Sequence, residues 1–165
     1  MMIVYGILIV LVIFIMILLI NTWVRTAKAG ICTGLQPEGS VEELQNYASV
    51  LKKMIQCKTI SVKNEYDDTE FAKLREVVMK EFPLLHERAE KMTFAEDCWM
   101  YKIPGKNPNR NILLMSHHDV VAVDPNETWQ YEPFSGHIAD GKVWGRGAAD
   151  TKGSLCAILC AAEEL

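Results

Sequence analysis

The sequence predicts an α/β or α+β layered domain behind an N-terminal membrane-spanning helix. Three observations lead there: an unbroken apolar run at the N-terminus, two capped amphipathic helices after it, and strand-like segments interleaved with turns before a last Ala- and Leu-rich helix. At 165 residues the chain is long enough for one ordinary domain with a real core.

Residues 1–20 read MMIVYGILIVLVIFIMILLI, without a charged or strongly polar side chain. About 20 apolar residues cross the hydrocarbon core of a bilayer, and the absence of an amphipathic stripe argues against a buried core helix. No basic residue precedes the run, and the run is longer than a usual signal-peptide core. Ala27-Lys28-Ala29 resembles a cleavage site only superficially. The reading is an uncleaved single-pass anchor over residues 1–22. Arg25 and Lys28 follow it, so the positive-inside bias leans toward a cytoplasmic downstream domain. Five cysteines (Cys32, Cys57, Cys98, Cys156, Cys160), an odd number without framework spacing, suit a reducing compartment.

Residues 23–39 form a linker containing Gly30, Gly34, Pro37 and Gly39, and residues 40–165 form the domain. Ser40 with Glu43 makes a capping box, and Val41, Leu44, Ala48, Leu51 and Ile55 follow at helical spacing. A second helix opens at Asp67 with an apolar stripe of Phe71, Leu74 and Val78, and Pro83 stops it. Residues 98–103 alternate as a strand does. The run Asn111–Ser116 reads as a strand buried on both faces, as in a parallel or mixed sheet covered by helices. Asp140-Gly141 is a two-residue hairpin signal, and residues 152–165 read as a helix.

Of 17 basic residues, Arg25 and Lys28 lie in the first 30 positions, which leaves 15 against 21 acidic ones. With no basic patch and no basic–aromatic interleaving, nucleic acid is excluded as a partner.

Chemistry concentrates between Leu114 and Lys152. On extended backbone, residues two apart face the same way, so His117 and Asp119 are neighbours and His118 points away. Imidazole is a common zinc ligand and a carboxylate often holds its second nitrogen; the competing reading is a polar loop after a strand. In Gly145-Arg-Gly-Ala-Ala-Asp150-Thr-Lys-Gly153, Asp150 reads either as a helix N-cap or as a carboxylate able to bridge two cations; spacing does not choose between them.

The stretches MIQCKTIS, EFPLLHERAE, NILLMSHHDVVAV and TWQYEPFSGHIADGKVWGRGAADTKGSLCAILCAAEEL, taken in order, resemble the N-terminal part of the catalytic domain of the dinuclear zinc hydrolases of carboxypeptidase S, aminoacylase and N-acyl-amino-acid hydrolase type. The shared pattern is carried by His117, Asp119, Trp129, Pro133-Phe134, Gly136, Asp140-Gly141, the Gly145–Ala148 turn, Asp150 and Lys152. The resemblance implies the first part of a mixed or parallel sheet covered by helices. It implies a two-zinc site, in which cobalt or another divalent metal can substitute, acting on peptide or N-acyl-amino-acid amide bonds. His117 would bind one zinc, Asp150 would bridge both, and Asp119 would orient His117. It also implies a cis peptide after the bridging aspartate, and a homodimer of the full-length protein is compatible with it. Ala122 stands where such sequences usually carry proline, and it touches no ligand.

The remaining family groups, a Glu-Glu pair supplying the general base and a ligand, then a later aspartate and histidine, have no counterpart here. The chain alone is therefore expected not to turn over substrate. The rival reading is a truncated, non-catalytic membrane-anchored binding or relic protein. Glu163-Glu164 lies too early for the pair and reads as a solvated helix end. Cys156 and Cys160 read as core packing, His86 and His137 as surface residues, and the Trp99–Tyr101 face as core. Ser154 lacks the G-x-S-x-G setting of a serine hydrolase.

Overall fold

The computed structural model describes residues 2–28, 39–62, 65–95 and 97–165. They divide into two units, Met1–Gly39 and Ser40–Leu165. The first holds helix α1 (Met2–Lys28). Its segment Tyr5–Arg25 has a mean hydropathy of 3.0 and no buried residue. At about 1.5 Å per residue it is long enough to cross a bilayer, and the same length and composition also fit a signal sequence. The helix runs on through Lys28, into the stretch read as linker; Gly30, Cys32, Gly34 and Pro37 lie outside the described residues.

The second unit starts with helix α2 (Val41–Gln56), capped as its sequence predicts. Glu43 N donates to Ser40 Oγ at 3.2 Å, and Ser40 N donates to the Glu43 carboxylate at 2.6 Å. Burial follows only the last part of the expected stripe: Val41 and Leu44 are exposed, whereas Met54 and Ile55 are wholly buried. Strands β1 (Ser61–Val62) and β2 (Glu65–Tyr66) pair antiparallel. Helix α3 (Asp68–Glu81) is capped by Asp67 and buries Phe71, Leu74 and Val78.

Pro83 ends α3 and also starts a helix, α4 (Pro83–Arg88), where its missing N–H is no loss at the first position. Phe82, at the N-cap, supplies no side-chain bond. Glu163 does so from the far end of the chain, accepting from Leu84 N at 2.9 Å and Leu85 N at 2.7 Å. Glu163 is thus a capping carboxylate rather than a solvated helix end. A free helix N-terminus needs such an acceptor, and the dipole favours a negative charge there. His86 also differs from expectation. It is half-buried, with Nδ1 2.7 Å from Phe82 O and Nε2 3.1 Å from the Tyr101 hydroxyl.

Strand β4 (Cys98–Lys102) pairs antiparallel with β3 (Glu90–Phe94), a strand whose mixed polar sequence gave no signal. Trp99 and Tyr101 pack against the core, as read. Strands β5 (His137–Ala139) and β6 (Lys142–Trp144) form the expected hairpin. Positive φ at Asp140 (53°) and Gly141 (68°) is the turn that matches strand twist. Helix α5 (Lys152–Glu163) closes the unit. Met54, Cys57, Leu74, Val78, Phe82, Leu85, Cys156 and Leu159 make one core, to which all four helices contribute.

The mixed or parallel sheet is not present among the described residues, which form three two-stranded antiparallel sheets. The sole parallel element described is a single bridge between Ile60 and Val120. Asn111–Ser116 is not a strand, and Ile112 and Met115 are 89% and 78% exposed. A two-faced buried strand needs neighbours on both edges and cover on both faces. Here one bridge past its end is all that the run is given.

Lys152 is wholly buried, and its ammonium donates to Met54 O at 2.9 Å and Cys57 O at 2.6 Å. Those carbonyls lie at the C-terminus of α2, the end of a helix that favours a cation, and each also accepts a backbone N–H, Met54 O from Cys57 and Cys57 O from Thr59. Burial nevertheless pushes the Lys152 pKa down to about 8. Its ionisation contribution to stability is therefore present above the ordinary 10.5 and lost as pH falls through about 8. Replacing Lys152 with Met removes two charge-assisted hydrogen bonds from carbonyls that keep their backbone donors, at a cost of roughly 1–3 kcal/mol in urea unfolding at pH 7. The same variant should remove the rise in stability between pH 8 and 10.5 that the wild-type lysine contributes. Glu163→Ala should cost about 1 kcal/mol through the lost cap of α4, read in the same assay.

Candidate metal centre

Two backbone segments meet at the site. The first is 116–120, fixed at its end to the segment after α2. Val120 N donates to Thr59 O at 2.8 Å, and Ser61 N donates to Val120 O at 3.1 Å. The buried Thr59 hydroxyl donates to His118 O at 2.6 Å. The second is the turn from Gly145 to Thr151, pinned by Arg146 N to Pro133 O at 2.7 Å and by Lys152 N to Gly147 O at 2.8 Å. Ser116 Oγ joins the two, donating to Thr151 O at 3.1 Å.

Gly147 is required where the segments touch. Its φ is +86°, and a Cβ there would stand 2.8 Å from Val120 Cγ1 and 3.4 Å from Lys152 Cδ. The peptide bond between Asp150 and Thr151 is cis, as the resemblance implied. Thr151 occupies the N-cap position of α5 without a side-chain bond, so Asp150 is not the cap. Its carboxylate turns outward and is 90% exposed.

The structure brings His117, Asp119 and Asp150 together. His117 Nε2 is 3.0 Å from Asp150 Oδ1, and His117 Nδ1 is 3.1 Å from Asp119 O and 3.2 Å from Asp119 Oδ1. Both ring nitrogens face oxygen acceptors, so the ring donates twice when protonated. The Asp150 carboxylate is the main cause of a His117 pKa above the ordinary 6.5, with Asp119 adding to it. His118 points the other way, as the alternation predicted. Its ring lies 4.9 Å from Trp99 and 5.5 Å from Phe71, and burial lowers its pKa.

The separation of His117 Nε2 from Asp150 Oδ1 suits a cation as well as a proton. Two ligand bonds of about 2.1 Å at the tetrahedral angle that zinc favours hold their donor atoms about 3.4 Å apart, so a small outward turn of the exposed Asp150 carboxylate opens the pair to an ion. The donor set, one imidazole held at its second nitrogen and one exposed carboxylate, therefore fits a zinc ion. Among the described residues no three His, Cys, Asp or Glu side chains converge on one point.

Sequence reasoning did not assign roles to Lys152 or Thr59, which hold the two segments from beneath. A lysine in the first turn of α5 opposes that helix's dipole, and this was the available signal that its charge belongs elsewhere. In the metal-free protein, NMR titration should find His117 above 6.5, and Asp150→Asn should bring it down toward that value.

The chain's own matches bear on this geometry. The model of peptidase family M20/M25/M40 matches residues 113–165, the span that carries His117, Asp119 and Asp150. A probable carboxypeptidase S-like protein 2 from Dictyostelium discoideum is 38% identical over 123 residues, covering 72% of this chain and 24% of that protein. The N-fatty-acyl-amino acid synthase/hydrolase of Mus musculus is 36% identical over 130 residues, covering 76% of this chain and 26% of that protein. The crystal structure of human carnosine dipeptidase 1 shares the fold with a TM-score of 0.53 at 21% identity, covering 74% of this chain and 28% of that one. The chain spans about a quarter of the length of these curated relatives. With an ordered motif set, the local geometry that goes with it and these matches in agreement, the chain belongs to the M20/M25/M40 peptidase family, among carboxypeptidase S-like and N-acyl-amino-acid hydrolase relatives.

Proposed function

We propose that this chain supplies part of the catalytic centre of a zinc-dependent hydrolase of peptide or N-acyl-amino-acid amide bonds, held at a membrane by α1. One observation carries the reading: His117 Nε2 stands 3.0 Å from Asp150 Oδ1, across 33 residues of sequence, while Asp119 holds the opposite ring nitrogen.

In this reading His117 and Asp150 are metal ligands, with Asp150 shared between two ions, and Asp119 is the orienting carboxylate. Zinc bound there would polarise the scissile carbonyl and make a bound water acidic enough to attack it near neutral pH. The chain's own part is positional. Asp119 keeps the proton on His117 Nδ1, which leaves the Nε2 lone pair free for the ion once the Asp150 contact gives way. Lys152 and Gly147 hold the turn that projects Asp150 into solvent, where a second ligand oxygen is accessible.

In this reading residues 1–22 are the anchor, 23–39 the linker, into which α1 continues as far as Lys28, and 40–165 the hydrolase part. Tyr5 and Trp23 stand near the two ends of the apolar segment of α1, where aromatic side chains favour the bilayer interface. Arg25 follows, and with Lys28 it leans the domain toward the cytoplasmic side. Substrate preference is assigned only to the class, an amide bond beside an amino-acid carboxylate, and cobalt is an acceptable replacement ion.

The test uses the full gene product containing this chain, assayed on N-acyl amino acids and dipeptides. Chelator treatment should abolish hydrolysis, and zinc or cobalt should restore it. His117→Ala and Asp150→Ala should each abolish it, and Asp119→Asn should lower it by roughly 10–100-fold. Hydrolysis that continues undiminished in either alanine variant overturns the assignment.

A further inference from the structure

Helix α5 carries Cys156 and Cys160 four residues apart, and Glu164 follows four residues on as its C-cap in helical conformation. The three therefore share one stripe. That stripe borders a cavity of about 460 Å³ between α2 and α5, lined by Tyr47, Leu51, Val143, Cys156, Cys160 and Glu164 among others. Both thiols are free, with Cys156 buried and Cys160 half-buried, and their sulfurs are 3.8 Å apart. Packing accounts for Cys156, which belongs to the core. Cys160 packs against that core from its edge and is the thiol of the pair that the cavity leaves half-exposed.

The sulfur separation decides which chemistry fits. Two metal–sulfur bonds of about 2.3 Å at the tetrahedral angle hold their sulfurs about 3.8 Å apart. A linear two-coordinate ion would need about 4.6 Å by the same bond length. A disulfide would need the sulfurs at about 2.05 Å and the β-carbons near 4 Å, closer than positions four apart on a helix bring them. We propose that Cys156 and Cys160 form a binding site for a tetrahedral, thiophilic divalent cation of the zinc or cadmium class, with the Glu164 carboxylate as third ligand and water as fourth.

Glu164 now accepts from the Tyr47 hydroxyl, and the described residues hold no three converging ligands as they stand. Turning its side chain away from Tyr47 would free the carboxylate, one helical turn beyond Cys160, to serve as the third ligand. On binding, two S–H bonds break and two metal–sulfur bonds form, and the two protons leave to solvent. The assignment uses no residue of the His117–Asp150 pair and stands or falls separately from it.

The test titrates cadmium into the full chain, reduced, stripped of metal, held in detergent micelles and carrying Asp150→Asn to silence the other donors. One ion per chain should bind with a sulfur-to-cadmium charge-transfer band, and the band should be lost in Cys156→Ala and in Cys160→Ala. Glu164→Gln should weaken binding at the same stoichiometry. Cadmium should also slow alkylation of Cys160 by iodoacetamide in the chain with both cysteines intact. If Cys156→Ala fails to fold, Cys160→Ala and the alkylation rate still decide. A band that survives Cys160→Ala, or a Cys160 alkylation rate indifferent to cadmium, overturns the site and leaves core packing as the role of the pair.

Discussion

The placement of the candidate centre depends on one buried charge. The Lys152 ammonium closes the open end of α2 and, through its own backbone, begins α5. Two helices distant in sequence are thereby joined head to tail at a single nitrogen. Asp150 lies two residues before that joint and cannot drift from it. The arrangement is costly, because a desolvated ammonium opposes folding near neutral pH, and the cost is offset by the two hydrogen bonds the ammonium donates to Met54 O and Cys57 O. Gly147 lets the turn lie directly on Val120, so the segment bearing His117 rests on the same foundation.

Local sequence rules served well wherever the deciding partners were themselves local. Ser40 and Glu43 cap each other, Asp140 and Gly141 make their own turn, and Phe71, Leu74 and Val78 face the core at helical spacing. The neighbour relation of His117 and Asp119 also came from the two-residue period of extended chain. What was not legible depended on distant partners. Nothing near Glu163 announces that it caps a helix begun 80 residues earlier, and nothing around Glu90–Phe94 announces a strand until β4 is beside it. Asp150 meets His117 only because two turns converge; the ordered motif set, rather than any spacing, pointed to that pairing.

The run Ile112–Met115 shows the same limit from the other side. Its composition is that of a fully covered strand, and the sequence was read accordingly. Apolar composition states what surroundings a segment suits, whereas coverage is supplied by other segments, and the described residues supply a single bridge at Val120. The antiparallel pairs formed where a turn brings two strands together at once. The parallel arrangement needs a crossover and further strands.

The cap that Glu163 places on α4 has a consequence for the order of assembly. Six residues are too few to stay helical alone, since nucleation costs more than so short a segment recovers, and Phe82 offers no side-chain acceptor at the N-cap. α4 is therefore a late element, formed when the last turn of α5 arrives to receive Leu84 and Leu85. Closing that long loop is entropically demanding, so the contact adds to the non-local share of the topology and slows folding of the unit. Until it is made, Leu85 has no settled place in the core. The last turn of α5 is thus the point at which α4 and the core beneath it are tied together.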